Sequence, residues 1–367
     1  MHIPFVDLKS QYASIKTDID RAISNVINDT AFIGGKYVYE FEQNFASIYD
    51  VKNCVSCANG TDSLYIIMKV LGIGKGDEVI TAANSWISSS ETITQVGAKP
   101  VFIDVHPVLY SMDENLLESL ITPFTKAVIA VHLHGQMCNI EHIKSICDKN
   151  NIYLIEDCAQ AHFSEFNGKR AGTFGIAGSF SFYPSKNLGA YGDAGCIITN
   201  DDAFAKKCRM FANHGSLTKH QHQIEGINSR LDGLQAAILN VKLQYILKWI
   251  DKRIQNAEMY SQKLIDIKEI KAPQVRENTK HTFHLYVIQA ERRNELKDYL
   301  HRKGIETSIH YPKALPNLSV YDYLKPFSNN FQIVTWHQDK ILSLPLYPEL
   351  SESEIDYVVN SIKTFYN

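Results

Sequence analysis

The sequence lacks the features that mark membrane, secreted and nucleic-acid-binding proteins. No stretch of its 367 residues approaches the apolar length that crosses a bilayer, and the start, MHIPFVDLKSQY, has no basic segment followed by an apolar run. Lys and Arg total 37 against 40 Asp and Glu, a formal net charge of -3, and no basic block stands out. We therefore expect a cytoplasmic protein with no membrane and no nucleic-acid partner.

The cysteines do not form the pattern of a disulfide framework. There are seven, an odd number, scattered through apolar surroundings. Cys54 and Cys57 have the spacing of a redox or zinc motif, but no second such pair accompanies them, and they lie in a strand-like run. We expect reduced thiols that pack in the core.

Short apolar runs alternate with helical or turn-rich segments through the first two hundred residues. Apolar runs that follow one another in this way are typical of a parallel sheet covered by helices on both faces. The predicted strands are 78–83, 101–105, 127–132 and 152–156, and predicted helices include 13–29 and 36–49. This part of the chain is predicted to be one α/β domain.

The rest of the chain predicts a second, smaller unit. Apolar residues recur at helical spacing from Leu234 to Leu264 without Gly or Pro, which predicts one long helix. Residues 281–290, 295–303 and 305–310 then have the patterns of strand, helix and strand, and 353–365 of a final helix. The predicted domains are a large one over 1–245 and a small one over 246–367.

The segment GSFSFYPSKNLG, residues 178–189, presents a single lysine. Its first half alternates small hydroxyl and aromatic residues as a strand does, and Pro184 and Gly189 bracket a tight turn around Lys186. A lysine in apolar surroundings loses hydration of its charged form, so its pKa falls and its neutral amine can form a Schiff base with a carbonyl. A solvated loop lysine is the ordinary alternative.

Two further motifs lie at positions where α/β proteins bind ligands. Glu156 and Asp157 end a buried strand, and ligands bind at the carboxyl ends of parallel strands. The segment NGTDSL, residues 59–64, opens a helix, and free amides at a helix N-terminus bind phosphate.

Four segments together resemble the pyridoxal-phosphate-dependent nucleotide-sugar aminotransferases, the DegT-like branch of the aspartate-aminotransferase fold. They are NGTDSL, EDCAQAH, SFSFYPSKNLGAYGDAGCIIT and GINSRLDGLQAAILNVKL, and the likeness runs in order through essentially the whole chain. The resemblance implies a fold type I α/β large domain with a mixed, mostly parallel sheet, and a smaller α+β C-terminal domain.

The resemblance also implies a role for residues around the cofactor ring. Lys186 would bind pyridoxal phosphate as a Schiff base and move the proton of the reaction, and Asp157 would pair with the ring nitrogen. Gln160 would bond the ring hydroxyl. Trp86 would stack on the ring, although a large aromatic residue also suits a core position.

The cofactor phosphate would be held by residues from two segments and two subunits. The family resemblance implies Gly60, Thr61 and Ser181 from one chain and Asn228 from its neighbour. It therefore implies a homodimer with shared active sites.

On the substrate side, the resemblance implies a nucleotide-linked keto-sugar and glutamate as the amino donor. His162, Tyr183, His310 and Tyr311 are the candidate substrate contacts. The run from Asn228 to Ala237 is similar to members that act on 3-keto sugars, which favours a dTDP-linked 3-keto-6-deoxyhexose. Alternatives are a 4-keto sugar or a UDP-2-acetamido-3-keto sugar.

Three other functions compete with a transaminase. Related sugar dehydratases lack the Schiff-base lysine, which this chain has at Lys186. A metal-dependent hydrolase would draw on His132 and His134, which share one side of a strand, together with His162 or the histidines at 220 and 222. A regulator would bind the cofactor without turning over an amino group.

Overall fold

A computed structural model describes residues 1–324 and 331–367, and seven of the strands in these ranges form its central sheet. The order is β1, β9, β8, β5, β4, β2, β3; the strands from β8 to β3 are mutually parallel, and β9 runs antiparallel to both its neighbours. Their bounds are β1 Asn53–Cys57, β2 Glu78–Ala82, β3 Lys99–Ile103, β4 Thr125–Val131, β5 Tyr153–Asp157, β8 Ala177–Ser181 and β9 Gly195–Thr199.

Helices connect these strands and pack around the sheet, which confirms the predicted α/β class with a mixed, mostly parallel sheet. The helices are α1 Leu8–Asn28, α2 Lys36–Tyr49, α3 Gly60–Val70, α4 Ser88–Gln95, α5 Leu117–Leu120, α6 Ile140–Asn150, α7 Asp202–Ala212, α8 Gly233–Leu243, α9 Ile246–Leu264, α10 Arg293–Arg302, α11 Gln332–Lys340 and α12 Glu352–Tyr366. Short strands outside the large sheet are β6 Glu165–Phe166, β7 Lys169–Arg170, β10 Ser216–Thr218, β11 Gln221–His222 and β13 Thr279–Lys280.

A small antiparallel sheet with its own hydrophobic cluster lies in the last third of the chain. Its strands are β12 Ile270–Lys271, β14 Tyr286–Ala290 and β15 Ile341–Leu344, with β14 in the middle. The cluster draws almost wholly on residues 257–362, and Ile3 joins it from the N-terminus. The boundary between 245 and 246 stays a prediction.

The prediction of one helix from Leu234 to Leu264 is wrong, because the chain breaks between α8 and α9. Neither Gly nor Pro causes the break. Tyr245 lies there with its ring stacked on Trp249 at 5.8 Å and its hydroxyl donating to Asp18 on α1 at 2.7 Å. Tertiary contacts override helix propensity at this point.

The predicted strand at 305–310 is also wrong. Only isolated bridges form in this stretch, from Ile305 to Ile3 and from Ser308 to Ser343. Ser308 lies beside β15 through its bridge to Ser343, but this pairing does not extend into a strand.

The cysteines lie in the interior of the fold. All seven cysteines are buried and free, and Cys54 and Cys57 lie in β1, as expected for packing residues. Within the described ranges, no helix has the length and apolar content that a membrane crossing requires.

The end of β5 presents two carboxylates to opposite sides, since side chains alternate along a strand. Glu156 is fully buried and accepts the amides of Gly172, Phe174 and Gly175 at 2.7–2.9 Å, together with a bond from His132 at 3.0 Å. Burial raises the pKa of Glu156, but these bonds outweigh it and hold the pKa below its ordinary value. Glu156 is therefore a structural anchor, and Asp157 is left to face the other side.

We predict that Glu156→Gln lowers the free energy of unfolding by about 3 kcal/mol, because its amide group would oppose backbone donors in a site without water. Urea unfolding measures the change. Glu118→Gln is the matched control: Glu118 has an exposed ion pair with Lys149, and its loss should cost less than about 1 kcal/mol. Equal effects in the two variants would contradict the anchoring role.

Candidate active site

The site forms at the carboxyl end of β5, between the large sheet and the segment that follows residue 305. Asp157 is buried there, and its two carboxylate oxygens accept the Ser89 hydroxyl at 2.8 Å and the Ala159 amide at 3.1 Å. Ser89 belongs to α4, which follows β2. The carboxyl ends of β5 and β2, with β4 between them, thus bring this carboxylate and its support together at one edge of the parallel sheet.

Lys186 lies on a short closed loop after β8, residues 183–191, which we name the lysine loop. The Lys186 amide donates to the Tyr183 carbonyl and the Ala190 amide to the Phe182 carbonyl, both at 2.8 Å. The loop is closed so tightly that a Cβ added to Gly189 would lie 2.3 Å from the Pro184 carbonyl oxygen. No side chain fits at this close approach, which explains why residue 189 is a glycine.

The Lys186 amine makes no hydrogen bond or ion pair with any residue in 1–324 or 331–367. Its side chain is half-buried. The loss of hydration lowers the pKa of Lys186 to about 8, although the Asp157 charge acts in the opposite direction. This environment favours the predicted nucleophilic amine over a solvated loop lysine.

Three of the predicted phosphate-binding residues, Gly60, Thr61 and Ser181, lie together at the N-terminus of α3. A Cβ on Gly60 would lie 2.7 Å from the Ser181 Cβ, so the glycine lets this helix end approach β8. The Thr61 hydroxyl lies 2.7 Å from that of Ser88. Asn59 caps the helix by accepting the amide of Asp62, while the Gly60 and Thr61 amides meet no acceptor within the described residues.

Gln160 is held between a histidine and a tyrosine. Its Oε1 accepts from His134 Nδ1 at 3.2 Å, and its Nε2 donates to the Tyr311 hydroxyl at 2.8 Å. Since Tyr311 accepts this bond, its own O–H remains free to donate. Burial and the Asp157 charge raise the pKa of Tyr311, which keeps it protonated.

Trp86 lies at the mouth of the same site. It is 61% exposed, and its ring centroid lies 6.0 Å from that of Tyr311. The alternative that Trp86 packs in the core is therefore wrong. Its stacking on a bound ring stays a prediction.

The histidines around Lys186 are uncharged near neutral pH. Burial, with the Lys186 charge in support, lowers the pKa of His310 to about 4 and that of His162 to about 3. His310 Nδ1 lies 2.8 Å from the Ser343 hydroxyl, and its ring stacks on Phe5 at 5.8 Å. His162 packs on the rings of Phe180 and Phe182.

Two predicted site residues stand apart from this group. Tyr183 is 56% exposed at the start of the lysine loop. Asn228 is exposed and forms a backbone bridge with Asn213, while the adjacent Ser229 turns inward and donates to Asp62 at 2.6 Å. Neither side chain joins the group around Lys186 within one chain, so their roles stay predictions.

The histidines proposed for a metal site have other partners. His132 Nδ1 accepts the Cys138 amide at 3.2 Å, which directs its Nε2 proton to Glu156. His134 instead contacts Gln160. In residues 1–324 and 331–367, a close group of possible metal ligands comprises His132, Glu156 and Cys158, but the two protein bonds of His132 use both of its nitrogens. The hydrolase hypothesis thus loses its ligand set.

Sequence reasoning missed several residues of the site. Ser88 and Ser89 follow Trp86 after one intervening residue, and a run of serines after a buried strand was the available signal. His284, which lies beside Asn187 at 3.4 Å, was hidden inside a predicted strand. The contact of Phe5 with His310 had no sequence signal, because over three hundred residues separate the two.

The arrangement fits pyridoxal phosphate on three observations. The Lys186 amine has no partner among the described residues, the Gly60 and Thr61 amides are open to an anion, and Asp157 offers a carboxylate between them and the lysine loop. By their chemistry the amine matches the aldehyde of that cofactor, the amides match its phosphate and the carboxylate matches its ring nitrogen.

Comparisons with known proteins agree with this geometry. The "Pleiotropic regulatory protein" of Geobacillus stearothermophilus is 40% identical over 100% of this chain and 99% of its own length. The dTDP-3-amino-3,6-dideoxy-alpha-D-galactopyranose transaminase of Aneurinibacillus thermoaerophilus is 39% identical over 99% of both chains. The crystal structure of DesV from S. venezuelae, in complex with a ketimine intermediate, has a TM-score of 0.97 and 33% identity over 99% of this chain and 98% of that one.

The family assignment covers nearly the whole sequence. Residues 13–363 match the model of the DegT/DnrJ/EryC1/StrS aminotransferase family. The chain belongs to the DegT/DnrJ/EryC1/StrS aminotransferase family.

Proposed function

We propose that the protein is a pyridoxal-phosphate-dependent aminotransferase that moves an amino group from glutamate to a nucleotide-linked 3-keto-6-deoxyhexose, with dTDP as the nucleotide. The observation that carries this proposal is the Lys186 amine, which has a lowered pKa and no protein partner in the described ranges, near the Asp157 carboxylate. The A. thermoaerophilus relative, whose name describes a dTDP-3-amino sugar transaminase, supports the sugar and the position.

The residues of the chain divide the work of such a reaction. When bound, pyridoxal phosphate supplies an aldehyde that holds an amine covalently and a ring that stabilises negative charge. Asp157 stabilises positive charge at the ring nitrogen, and the α3 N-terminus with Ser181 holds the phosphate. Lys186, with a pKa of about 8, can accept and return a proton near neutral pH.

The substrate side suits a sugar ring without its own charge. His162, His310 and Tyr311 are all neutral near pH 7, and they offer hydrogen bonds rather than charges. Such neutral groups can recognise the hydroxyl groups of a deoxyhexose.

Shared active sites in a homodimer are part of the proposal. Asn228 is exposed at the surface of its own chain, and the β10–β11 hairpin just before it is exposed as well. An exposed asparagine in the family segment GINSRLD is free to reach a neighbouring subunit. We also infer a cytoplasmic location, which the seven free and buried cysteines support.

Two alternative substrates and one alternative function compete with this proposal. A 4-keto sugar and a UDP-2-acetamido-3-keto sugar would use the same cofactor site. A cofactor-binding regulator is favoured by the name of the G. stearothermophilus relative, a regulatory protein. Both functions would use the Lys186 amine to bind the cofactor, so the response of the bound cofactor to an amino donor distinguishes them.

The first test is the absorption spectrum of the protein with added pyridoxal phosphate, before and after glutamate. We expect a Schiff-base band that glutamate bleaches, and no such band in Lys186→Ala. A panel of dTDP- and UDP-linked 3-keto and 4-keto sugars should then restore the band, fastest with the dTDP-linked 3-keto-6-deoxyhexose. A band that ignores every amino donor would support the regulator instead.

Mixed dimers test the shared site. Lys186→Ala and Asn228→Asp should each be inactive alone, the second because a carboxylate would repel the cofactor phosphate. After the two proteins are mixed and allowed to exchange subunits, about one quarter of wild-type activity should return, since half of the dimers then hold one intact site. A mixture no more active than its parents, despite proven subunit exchange, would contradict sharing.

The lowered pKa of Lys186 predicts a measurable effect on the cofactor-free protein. Between pH 8 and about 10.5 the unfolded chain binds a proton at Lys186 that the folded chain does not, so folding gains stability as the pH rises through this window. Lys186→Met should therefore be more stable than wild type at pH 7, by about 2 kcal/mol, and this advantage should shrink towards pH 10.5.

Denaturant unfolding of both cofactor-free proteins at several pH values measures this difference. Lys144→Met, which removes an exposed lysine paired with Asp148, is the matched control and should show no such advantage. A Lys186→Met difference that does not vary with pH would show that the amine is not desolvated.

A further inference from the structure

Helix α8 contacts the lysine loop at two points. Lys242 Nζ donates to the Gly189 carbonyl at 2.7 Å, and Gln235 Oε1 accepts the Tyr191 amide at 2.8 Å. Lys242 follows Gln235 by two helical turns, so the two side chains lie on one face of the helix. Both contacted groups lie within six residues of Lys186.

Lys242 is an unusual residue to bury. It is 0% exposed, and its Nζ lies 4.3 Å from the centroid of the Tyr191 ring. Within the described ranges, the Gly189 carbonyl is its hydrogen-bond partner, and burial lowers its pKa to about 8 against the opposing charge of Glu349. An apolar side chain could fill the same space without this loss of hydration. Packing alone therefore does not explain why a lysine is buried here and bonded to Gly189.

The position of Gly189 is tied to the position of Lys186. Gly189 lies against Pro184 so closely that a Cβ would not fit, and Ala190 bonds back to Phe182. A shift of the Gly189 carbonyl therefore moves the closed loop as a unit. Burial and Asp157 are the influences on the pKa of Lys186, and the Lys242 charge is not among them, so any influence of Lys242 is geometric.

We propose that Lys242 and Gln235 are positioning residues. Through their two hydrogen bonds they hold the lysine loop in place, so that the Lys186 amine stays near Asp157. Neither residue needs to contact the cofactor or the sugar. The inference rests on the proposed function in one respect, that Lys186 is the reacting amine.

The test compares Lys242→Met and Gln235→Met with Asn240→Leu in the full-length protein. Asn240 lies on another face of α8, where it donates to the Tyr37 carbonyl at 3.3 Å and accepts from Asn44, so its variant loses helix contacts without touching the loop. Hydrogen exchange of the peptide over 183–192 measures how firmly the loop is held. Single-turnover rates with glutamate, in protein loaded with pyridoxal phosphate, measure the consequence for Lys186.

We expect faster loop exchange in both methionine variants and a glutamate step slowed roughly 10- to 100-fold, with little change in the KM for glutamate. Asn240→Leu should match wild type in both measurements. If Lys242→Met does not fold, Gln235→Met carries the same test, because it removes an acceptor from a partly exposed position.

Two outcomes would overturn the proposal. Wild-type loop exchange in a methionine variant that has only lost thermal stability would assign these residues a general structural role. Faster loop exchange with an unchanged glutamate step would show that the reaction of Lys186 does not depend on the hydrogen bonds from Lys242 and Gln235. Hydrogen exchange does not require turnover, so failure of the transaminase proposal itself would appear separately, as a wild-type protein that ignores glutamate.

Discussion

The hydration that Lys186 loses is the constraint on which the site depends. An ordinary lysine is charged at neutral pH and cannot attack a carbonyl, whereas this amine, with a pKa of about 8, exists partly in its neutral form. Asp157 opposes that change, since a nearby negative charge favours the ammonium. In the proposed function, the site combines a carboxylate for the ring nitrogen of the cofactor with enough burial to keep the amine partly neutral.

The parallel sheet solves the problem of bringing these groups together. Asp157 ends β5, its supporting Ser89 begins the helix after β2, and Ser181 ends β8, so all three follow from the one edge at which parallel strands end. Glu156, one residue before Asp157, points to the other side and anchors the turn at residues 172–175. One strand end thus serves both the chemistry and the fold.

The sequence predicted most where chemistry and local pattern coincide. The strand that ends at Asp157, the helix opened by residues 59–64 and the desolvated setting of Lys186 could be predicted from short motifs. Prediction from the sequence failed where contacts between residues far apart in the chain determine the secondary structure. The break at Tyr245 depends on Trp249 and a helix more than two hundred residues away, and no spacing rule contains that information. The stretch 305–310 likewise forms only isolated bridges, one of them to Ile3 near the start of the chain.

The segment GINSRLDGLQAAILNVKL can be recognised as a family motif before the contacts of its residues are known. From the sequence it predicted a helix and a family, and Gln235 and Lys242 were two polar residues in an apolar pattern. In the fold, their spacing of two helical turns places both against the loop that carries Lys186. The chain thus buries a second amine with a pKa of about 8, one that bonds to the backbone rather than to a ligand. Because a buried amine lowers stability on its own, its presence beneath the reacting lysine is best explained by the position it gives to Gly189.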